Sequence, residues 1–300
     1  MDEALIHKGQ LATAGPCDLV MENKGEKMEK FKWPDGYKSA VMFSFDVDGS
    51  SEQQLYEENI LGHNSVGDYG PKIAVPRILD MLDKHGLKAI FFVPGWVAER
   101  FPERVKEIHN RGHEIGAHGY LHENFSTLSE NEEREIHDKS SKIIADIVGI
   151  PPRAFRTPGG PLTTRTMKML LENGYDCDSS SVKSYYPSRV KLEGKEVDMA
   201  EVPFSWLTDD FPYFWGGYED TPEPPSFMPV SAPSDVLEYW TAEFDGIHEI
   251  GGLFVYLNHP RAAGRISRLR AMDRLIHHIK ATPDVWITSL REIVNWTLKN

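Results

Sequence analysis

Cysteine is nearly absent from this chain of 300 residues. The two present, Cys17 and Cys177, lie far apart and form neither a metal-ligand spacing nor a disulfide framework. Long hydrophobic runs are also missing. The longest apolar stretches, such as Ala89 to Val93 and Leu253 to Leu257, have the length of core strands, so no membrane span is expected. Positive charge is outnumbered, with a formal net charge of -13. That balance argues against a cationic groove for nucleic acid and against anionic membranes as partners. No basic flank followed by an apolar stretch opens the chain, which predicts a cytoplasmic protein without a secretory signal.

The length and the 40% hydrophobic content suit a globular α/β protein able to bury about three quarters of its unfolded surface. Residues 1–37 are highly polar over Met21 to Lys32 and read as an arm, partly unstructured or packed on a neighbouring subunit. From residue 38 to 300, apolar runs alternate with helical periodicity. Strands are expected at Ala40–Phe45, Lys88–Val93, Glu114–Ala117, Ala154–Phe155, a short run into Asp178, Glu201–Trp206, Leu253–Leu257 and Val285–Thr288. Helices fall between them. One opens on a capping box, Ser129 to Glu132, and runs to about Val148. Seven or eight strands, most followed by a helix, predict a parallel α/β barrel or a doubly wound sheet, with sites at the carboxyl ends of the strands.

The residues that carry chemistry fall at those ends. Asp46 and Asp48 leave the first core strand two positions apart, so both carboxylates can face one site. One can bind a cation and the other take a proton. His118 and His122 stand four apart, the spacing that lets two imidazoles on a helical turn share one ion. Two histidines and a carboxylate are what a catalytic metal needs while keeping a position open for water. Arg156 precedes Thr157-Pro158-Gly159-Gly160 and can hold Asp46 ionised and aimed. His259, in Leu257-Asn258-His259-Pro260, titrates near neutrality and suits a general acid, with Asp209 or Asp210 to orient it or raise its pKa. Trp206, Phe211, Tyr213, Phe214 and Trp215 can wall a pocket or pack a core. His113 reads as structural, and His277-His278 as solvated. The long stretch from Thr208 to Pro233 reads as a functional loop.

Taken together, these residues resemble the polysaccharide deacetylase family, the NodB-homology or carbohydrate esterase 4 fold. Ser44-Phe45-Asp46-Val47-Asp48-Gly49 matches its first motif, normally Thr-Phe-Asp-Asp-Gly. His118 to His122 matches the second and Arg156 to Gly160 the third. Trp206-Leu207-Thr208-Asp209-Asp210 resembles the fourth, and Leu257-Asn258-His259 the fifth. The resemblance implies a distorted (β/α)7 barrel. It implies Asp46 as base, Asp48, His118 and His122 as metal ligands, Arg156 steadying the base and His259 as acid. Asp209 and Asp210 join the catalytic group, with Tyr120, Pro158, Gly159 and Trp215 at the substrate. The metal implied is divalent, zinc first, with cobalt or manganese as alternatives.

Val47 between the two acids, the Gly159-Gly160 ending and the long loop point to the branch of peptidoglycan-deacetylase-like proteins, cyclic imidases and allantoinases. That branch implies a homotetramer with an enclosed site. The activity expected is hydrolysis of a non-peptide carbon–nitrogen bond, most simply an N-acetyl group of a glycan. The alternatives are ring opening of a small cyclic imide or ureide, and a non-catalytic carbohydrate-binding barrel.

Overall fold

A computed structural model describes residues 31–55, 61–214 and 230–300. Most of the expected arm and the central part of the long loop, including Trp215, lie outside the described residues. Of the arm, residues 31–37 are described. Trp33 is packed in an apolar cluster and its indole N–H donates to the Gly251 carbonyl at 2.8 Å.

Among the described residues nine strands form the sheet: β1 Ser39–Asp46, β2 Ala89–Val93, β3 Glu114–Ala117, β4 Ala154–Phe155, β5 Cys177–Asp178, β6 Ser188–Leu192, β7 Lys195–Glu201, β8 Leu253–Asn258 and β9 Val285–Ile287. Their order is β6-β7-β5-β4-β3-β2-β1-β8, with β9 also pairing β1. All pairings are parallel except β6 with β7. The chain leaving β7 reaches across to β8, where Asp209 bridges Leu257 in parallel sense. Seven parallel strands, from β7 through β1 to β8, thus make a distorted (β/α)7 barrel.

Helices wrap this sheet: α1 Leu61–Tyr69, α2 Val75–His85, α3 Gly95–Arg100, α4 Pro102–Asn110, α5 Glu130–Val148, α6 Thr164–Glu172, α7 Phe211–Phe214, α8 Pro233–Ile250, α9 Pro260–Ala263, α10 Ile266–Ala281 and α11 Leu290–Lys299. None of them is long and apolar enough to cross a membrane.

The pleat of β1 sets up the site. All eight of its residues are buried, as expected of a strand covered on both faces. Val41, Phe43, Phe45 and then Val47 join the core beneath the helices, whereas Ala40 and Met42 join a separate cluster with Ile90, Phe92, Val255 and Leu257. Ser44, Asp46 and Asp48 continue that second series by period two. Val47 between the acids therefore anchors the turn in the helix-side core and leaves both carboxylates on one side.

The helix boundaries follow local chemistry. Ser129 and Glu132 form the capping box that opens α5, and Ser289 with Glu292 forms a second one at α11. Gly86, at φ 66°, closes α2. The expected strand Glu201–Trp206 is instead the end of β7. Pro203 supplies no amide hydrogen, and Trp206–Thr208 turns as a 3-10 helix with the Ser205 hydroxyl accepting from Leu207 N. The β6–β7 hairpin was not foreseen. Its two-residue turn, Glu193-Gly194, has φ of 51° and 78°, the signs a tight hairpin demands.

Between α5 and its neighbours lies a buried polar cluster. Glu133 accepts from Arg165 Nε at 2.6 Å, and His137 sits 3.9 Å from the other Glu133 oxygen. Burial, helped by Arg134, pushes the His137 imidazole down to about 4. A histidine whose pKa falls on folding stabilises the fold only while neutral. Stability is therefore complete above its unfolded pKa of about 6.5 and is lost as pH drops towards 4. At pH 4.5 that loss amounts to about 2 kcal/mol. Urea unfolding at pH 7 and 4.5 is expected to show a smaller acid loss in His137→Leu than in wild type. An equal loss in both would remove His137 as a source of acid sensitivity.

Candidate active site

At the carboxyl ends of β1, β3, β4 and β8, polar side chains converge on a cavity of about 300 Å³. Its lining includes Asp46, Asp48, His118, His122, Arg156 and His259. The residues expected to act together thus do meet, although they are up to 213 positions apart in the chain.

The turn that presents Asp48 is held from behind. Ser51 donates to the Asp48 carbonyl through its amide at 3.1 Å and its hydroxyl at 2.7 Å. Ser50 donates to Asp68, which also takes Lys72 Nζ at 2.7 Å. Gly67 of α1 lies so close that a Cβ there would stand 2.3 Å from the Gly49 carbonyl. Any larger residue at 67 would push this turn away.

His118 and His122 do not share a helical turn, as their spacing suggested. They lie on a loop between β3 and α5, bent by positive φ at Gly119 (69°) and His122 (67°). Glu123 fixes the bend: its carboxylate accepts from the amides of Tyr120 and Leu121 at 2.9 and 2.8 Å. The Gly119 carbonyl accepts from the Ser140 hydroxyl and the Gly95 amide. The two imidazoles end 5.1 Å apart.

Asp48 is 1% exposed, yet among the described residues neither of its carboxylate oxygens finds a hydrogen-bond donor. Its Oδ1 faces His118 Nε2 at 3.6 Å and His122 Nε2 at 4.0 Å. Ligand atoms of these three residues all lie within 4.8 Å of one another. His118 Nδ1 is 2.7 Å from the Arg156 carbonyl, which can only accept, so Nδ1 carries the hydrogen and Nε2 offers a lone pair. Burial, against the pull of Asp46, pushes His118 down to about 4, which keeps it neutral. Burial pushes the Asp48 carboxyl up, but His122, His259, Arg261 and His118 together hold it at about 2. A buried anion facing two imidazole nitrogens, with His118 kept neutral, is a donor set suited to a divalent cation.

Asp46 is held by a different partner. Arg156, 2% exposed, donates from Nη1 to Asp46 Oδ1 at 2.7 Å and to Ser44 Oγ at 2.6 Å. Its Nε and Nη2 donate to the Ser179 carbonyl and hydroxyl, and its plane lies against Phe92, 4.3 Å from the ring centroid. The other carboxylate oxygen, Oδ2, points to the cavity side and lies 3.8 Å from His118 Nε2.

His259 follows β8 and is gripped by Asp210, whose Oδ1 lies 2.8 Å from its Nδ1 and accepts from its backbone amide at 2.9 Å. Asp209 Oδ1 is 3.3 Å from the same nitrogen. Burial lowers the imidazole pKa, but Asp209, Asp48 and Asp210 overcome it and raise it well above the ordinary value. Both acids of the fourth motif therefore act on His259. Its Nε2 faces Asp48 Oδ2 at 3.7 Å.

Of the expected substrate contacts, Gly159 lines the cavity. Tyr120 and Pro158 are not among its lining residues. The Tyr120 hydroxyl donates to Glu99 at 2.8 Å and its ring lies under Lys139, while Pro158 sits beside Gly119. Trp206 and Phe211 form an aromatic wall with Phe204, whereas Tyr213 and Phe214 pack on the core residue Trp240. Trp215 is outside the described residues. Glu52, Phe204 and Arg261 also line the cavity and were not singled out from the sequence. Glu52 and Arg261 belong to no recognisable spacing, and Phe204 fell within the expected strand. His277, read as solvated, lies 4.9 Å from the His85 ring and near Asp273, whose Oδ1 already takes Lys84 Nζ and His85 Nε2.

The polysaccharide deacetylase family pattern matches residues 67–177. Over 260 residues the chain is 30% identical to a peptidoglycan deacetylase of Helicobacter pylori, covering 78% of this chain and 87% of that one. A solved structure from Mycobacterium smegmatis, assigned to polysaccharide deacetylases, aligns with a TM-score of 0.81 and 34% identity over 89% of this chain and 93% of that one. An allantoinase structure aligns with a TM-score of 0.77 at 21% identity, over 94% of this chain and 97% of its own, a likeness of fold. With the NodB-type barrel and these relatives in agreement, the chain belongs to the polysaccharide deacetylase family and is a hydrolase of carbon–nitrogen bonds other than peptide bonds.

Proposed function

We propose that this protein removes acetyl groups from N-acetylated sugar units of a glycan, using a divalent cation, zinc first, held by Asp48, His118 and His122. The observation that carries this reading is the buried Asp48 carboxylate, without a hydrogen bond among the described residues, opposite two imidazole Nε2 atoms. Bound there, such a cation supplies a water of lowered pKa and polarises the acetyl carbonyl.

The chain's own groups do the rest. Asp46, with Oδ1 pinned by Arg156, takes the proton of the attacking water on Oδ2. The water oxygen bonds to the acetyl carbon, giving a tetrahedral intermediate. His259 carries its proton on Nε2, because Asp210 occupies the Nδ1 side. It passes that proton to the sugar nitrogen as the C–N bond breaks, leaving acetate and a free amine. Each proton transfer is worth about 10²–10⁴-fold. Phe204, Trp206 and Phe211 offer apolar faces for a pyranose ring, and the Helicobacter pylori relative is named for deacetylating peptidoglycan.

The test is acetate release from N-acetylated oligosaccharides and peptidoglycan fragments, beside cyclic imides and allantoin as competitors, with and without chelator. Acetate release that chelation abolishes and Zn²⁺ or Co²⁺ restores is expected. Ring opening of an imide or ureide without acetate release would replace this reading with the small-molecule one.

A pH test addresses His259. The acid must be protonated, so kcat falls as pH rises through its pKa. Asp210→Asn keeps an oxygen to accept from Nδ1 but removes a charge that raises that pKa. The alkaline fall of kcat is expected to move to lower pH by about one unit. An unmoved alkaline limb would remove Asp210 as the group that tunes the acid.

A further inference from the structure

We infer that Arg261 is a positioning residue for the cation: it holds Asp48 by one carboxylate oxygen so that the other stays turned to the two imidazoles. This rests on the proposed role of Asp48 as a ligand.

The two Asp48 oxygens face different company. Oδ1 looks at His118 and His122. Oδ2 lies 3.3 Å from Arg261 Nη2 and 3.7 Å from His259 Nε2. Arg261 is 4% exposed and its Nη1 reaches towards the Gly49 carbonyl at 3.4 Å. The guanidinium thus spans the Asp48 side chain and the backbone just after it. Its backbone packs closely on Gly70, where a Cβ would stand 3.3 Å from the Arg261 amide nitrogen. His259 does not supply this hold, because its ring is oriented by Asp210 from the opposite nitrogen.

A carboxylate without a hydrogen bond is free to turn about its last torsion, which is broad for aspartate. Turning by half a rotation would merely exchange its oxygens, but intermediate angles would aim neither at the histidines. A planar cation fixed beside Oδ2 selects the productive angle. Ligating carboxylates are held in this way by outer partners, whose loss weakens metal binding about 10–100-fold. The fork geometry also distinguishes arginine from lysine, which carries the charge as a point on a flexible stem.

The experiment compares the full chain with Arg261→Met and Arg261→Lys by titrating Co²⁺, read by calorimetry and by the visible absorption of the bound ion. Steady-state kinetics are then measured across Co²⁺ concentrations. Arg261→Met is expected to bind Co²⁺ at least about tenfold more weakly, with Arg261→Lys between it and wild type. Activity is expected to recover at saturating Co²⁺ with KM for the sugar unchanged. Equal or tighter Co²⁺ binding overturns the inference. So does a raised KM that saturating Co²⁺ leaves uncorrected, which would make Arg261 a substrate contact. If Arg261→Met does not fold, Arg261→Lys carries the same comparison. A wild type that takes up no Co²⁺ would instead overturn the ligand assignment, and this inference with it.

Discussion

Asp46→Asn is expected to lower kcat by about 10²–10⁴-fold while the purified protein keeps its full complement of cation. Asparagine has the shape of aspartate and retains an oxygen that can accept from Arg156 Nη1, so the side chain stays in place. What it loses is the ability to take a proton. The danger in such a variant is collapse of the site, because removing one partner of a buried pair leaves a charge uncompensated at a cost of about 3–5 kcal/mol. Here the guanidinium keeps three other acceptors, Ser44 Oγ and the carbonyl and hydroxyl of Ser179, and it keeps the face of Phe92. The expected stability loss is therefore at the low end of that range. Elemental analysis, a thermal melt and kcat on the same preparation separate the possibilities. Near-normal turnover with full occupancy would remove Asp46 as the base.

Much of this architecture was legible because the sequence repeats one physical theme. Apolar runs such as Ala89–Val93 and Leu253–Leu257 have to be strands buried on both faces, and a polar residue following such a run has to sit at a strand end. Asp46, His118, Arg156 and His259 follow from this rule whatever the order of the strands. The period of two correctly placed Asp46 and Asp48 on one side, with Val47 turned into the opposite core. The period of helices misled at His118 and His122, where a positive φ at Gly119 and the Glu123 carboxylate build a loop that gives the same proximity by another route. Arg261 could not be found from the sequence. Its partner Asp48 lies 213 residues away, and only the barrel brings them together. Tyr120 is the converse case. The family resemblance implied a substrate contact there; in the structure its hydroxyl donates to Glu99 and the residue is not among those lining the cavity.

His118→Ala and Asp48→Asn are expected to lose cation and turnover together, from about one ion per chain to less than about a tenth and by at least about 10³ in kcat. The reasoning starts from ligand number. A site of three protein ligands with one position for water has none to spare. His118 is also the best prepared of the three. The Arg156 carbonyl fixes its tautomer, and burial holds it neutral to about pH 4, so at neutral pH it gives a lone pair without first losing a proton. Alanine removes that donor and leaves Asp48 facing His122 alone on its Oδ1 side. Asparagine at 48 removes the anion whose Oδ1 faces both imidazoles, in a pocket where His259 and Arg261 already bring positive charge. The remaining carboxylates are already paired, Asp46 with Arg156 and Asp209 and Asp210 with His259, so binding weakens on electrostatic grounds as well as on geometry. Set beside Asp46→Asn, these variants make a decisive pair. If Asp46 is the base and Asp48 and His118 are ligands, the first variant is slow but loaded, and the other two are slow and empty. Full occupancy in His118→Ala would mean that the cation rests on other residues, and the proposed chemistry would have to be rebuilt around them.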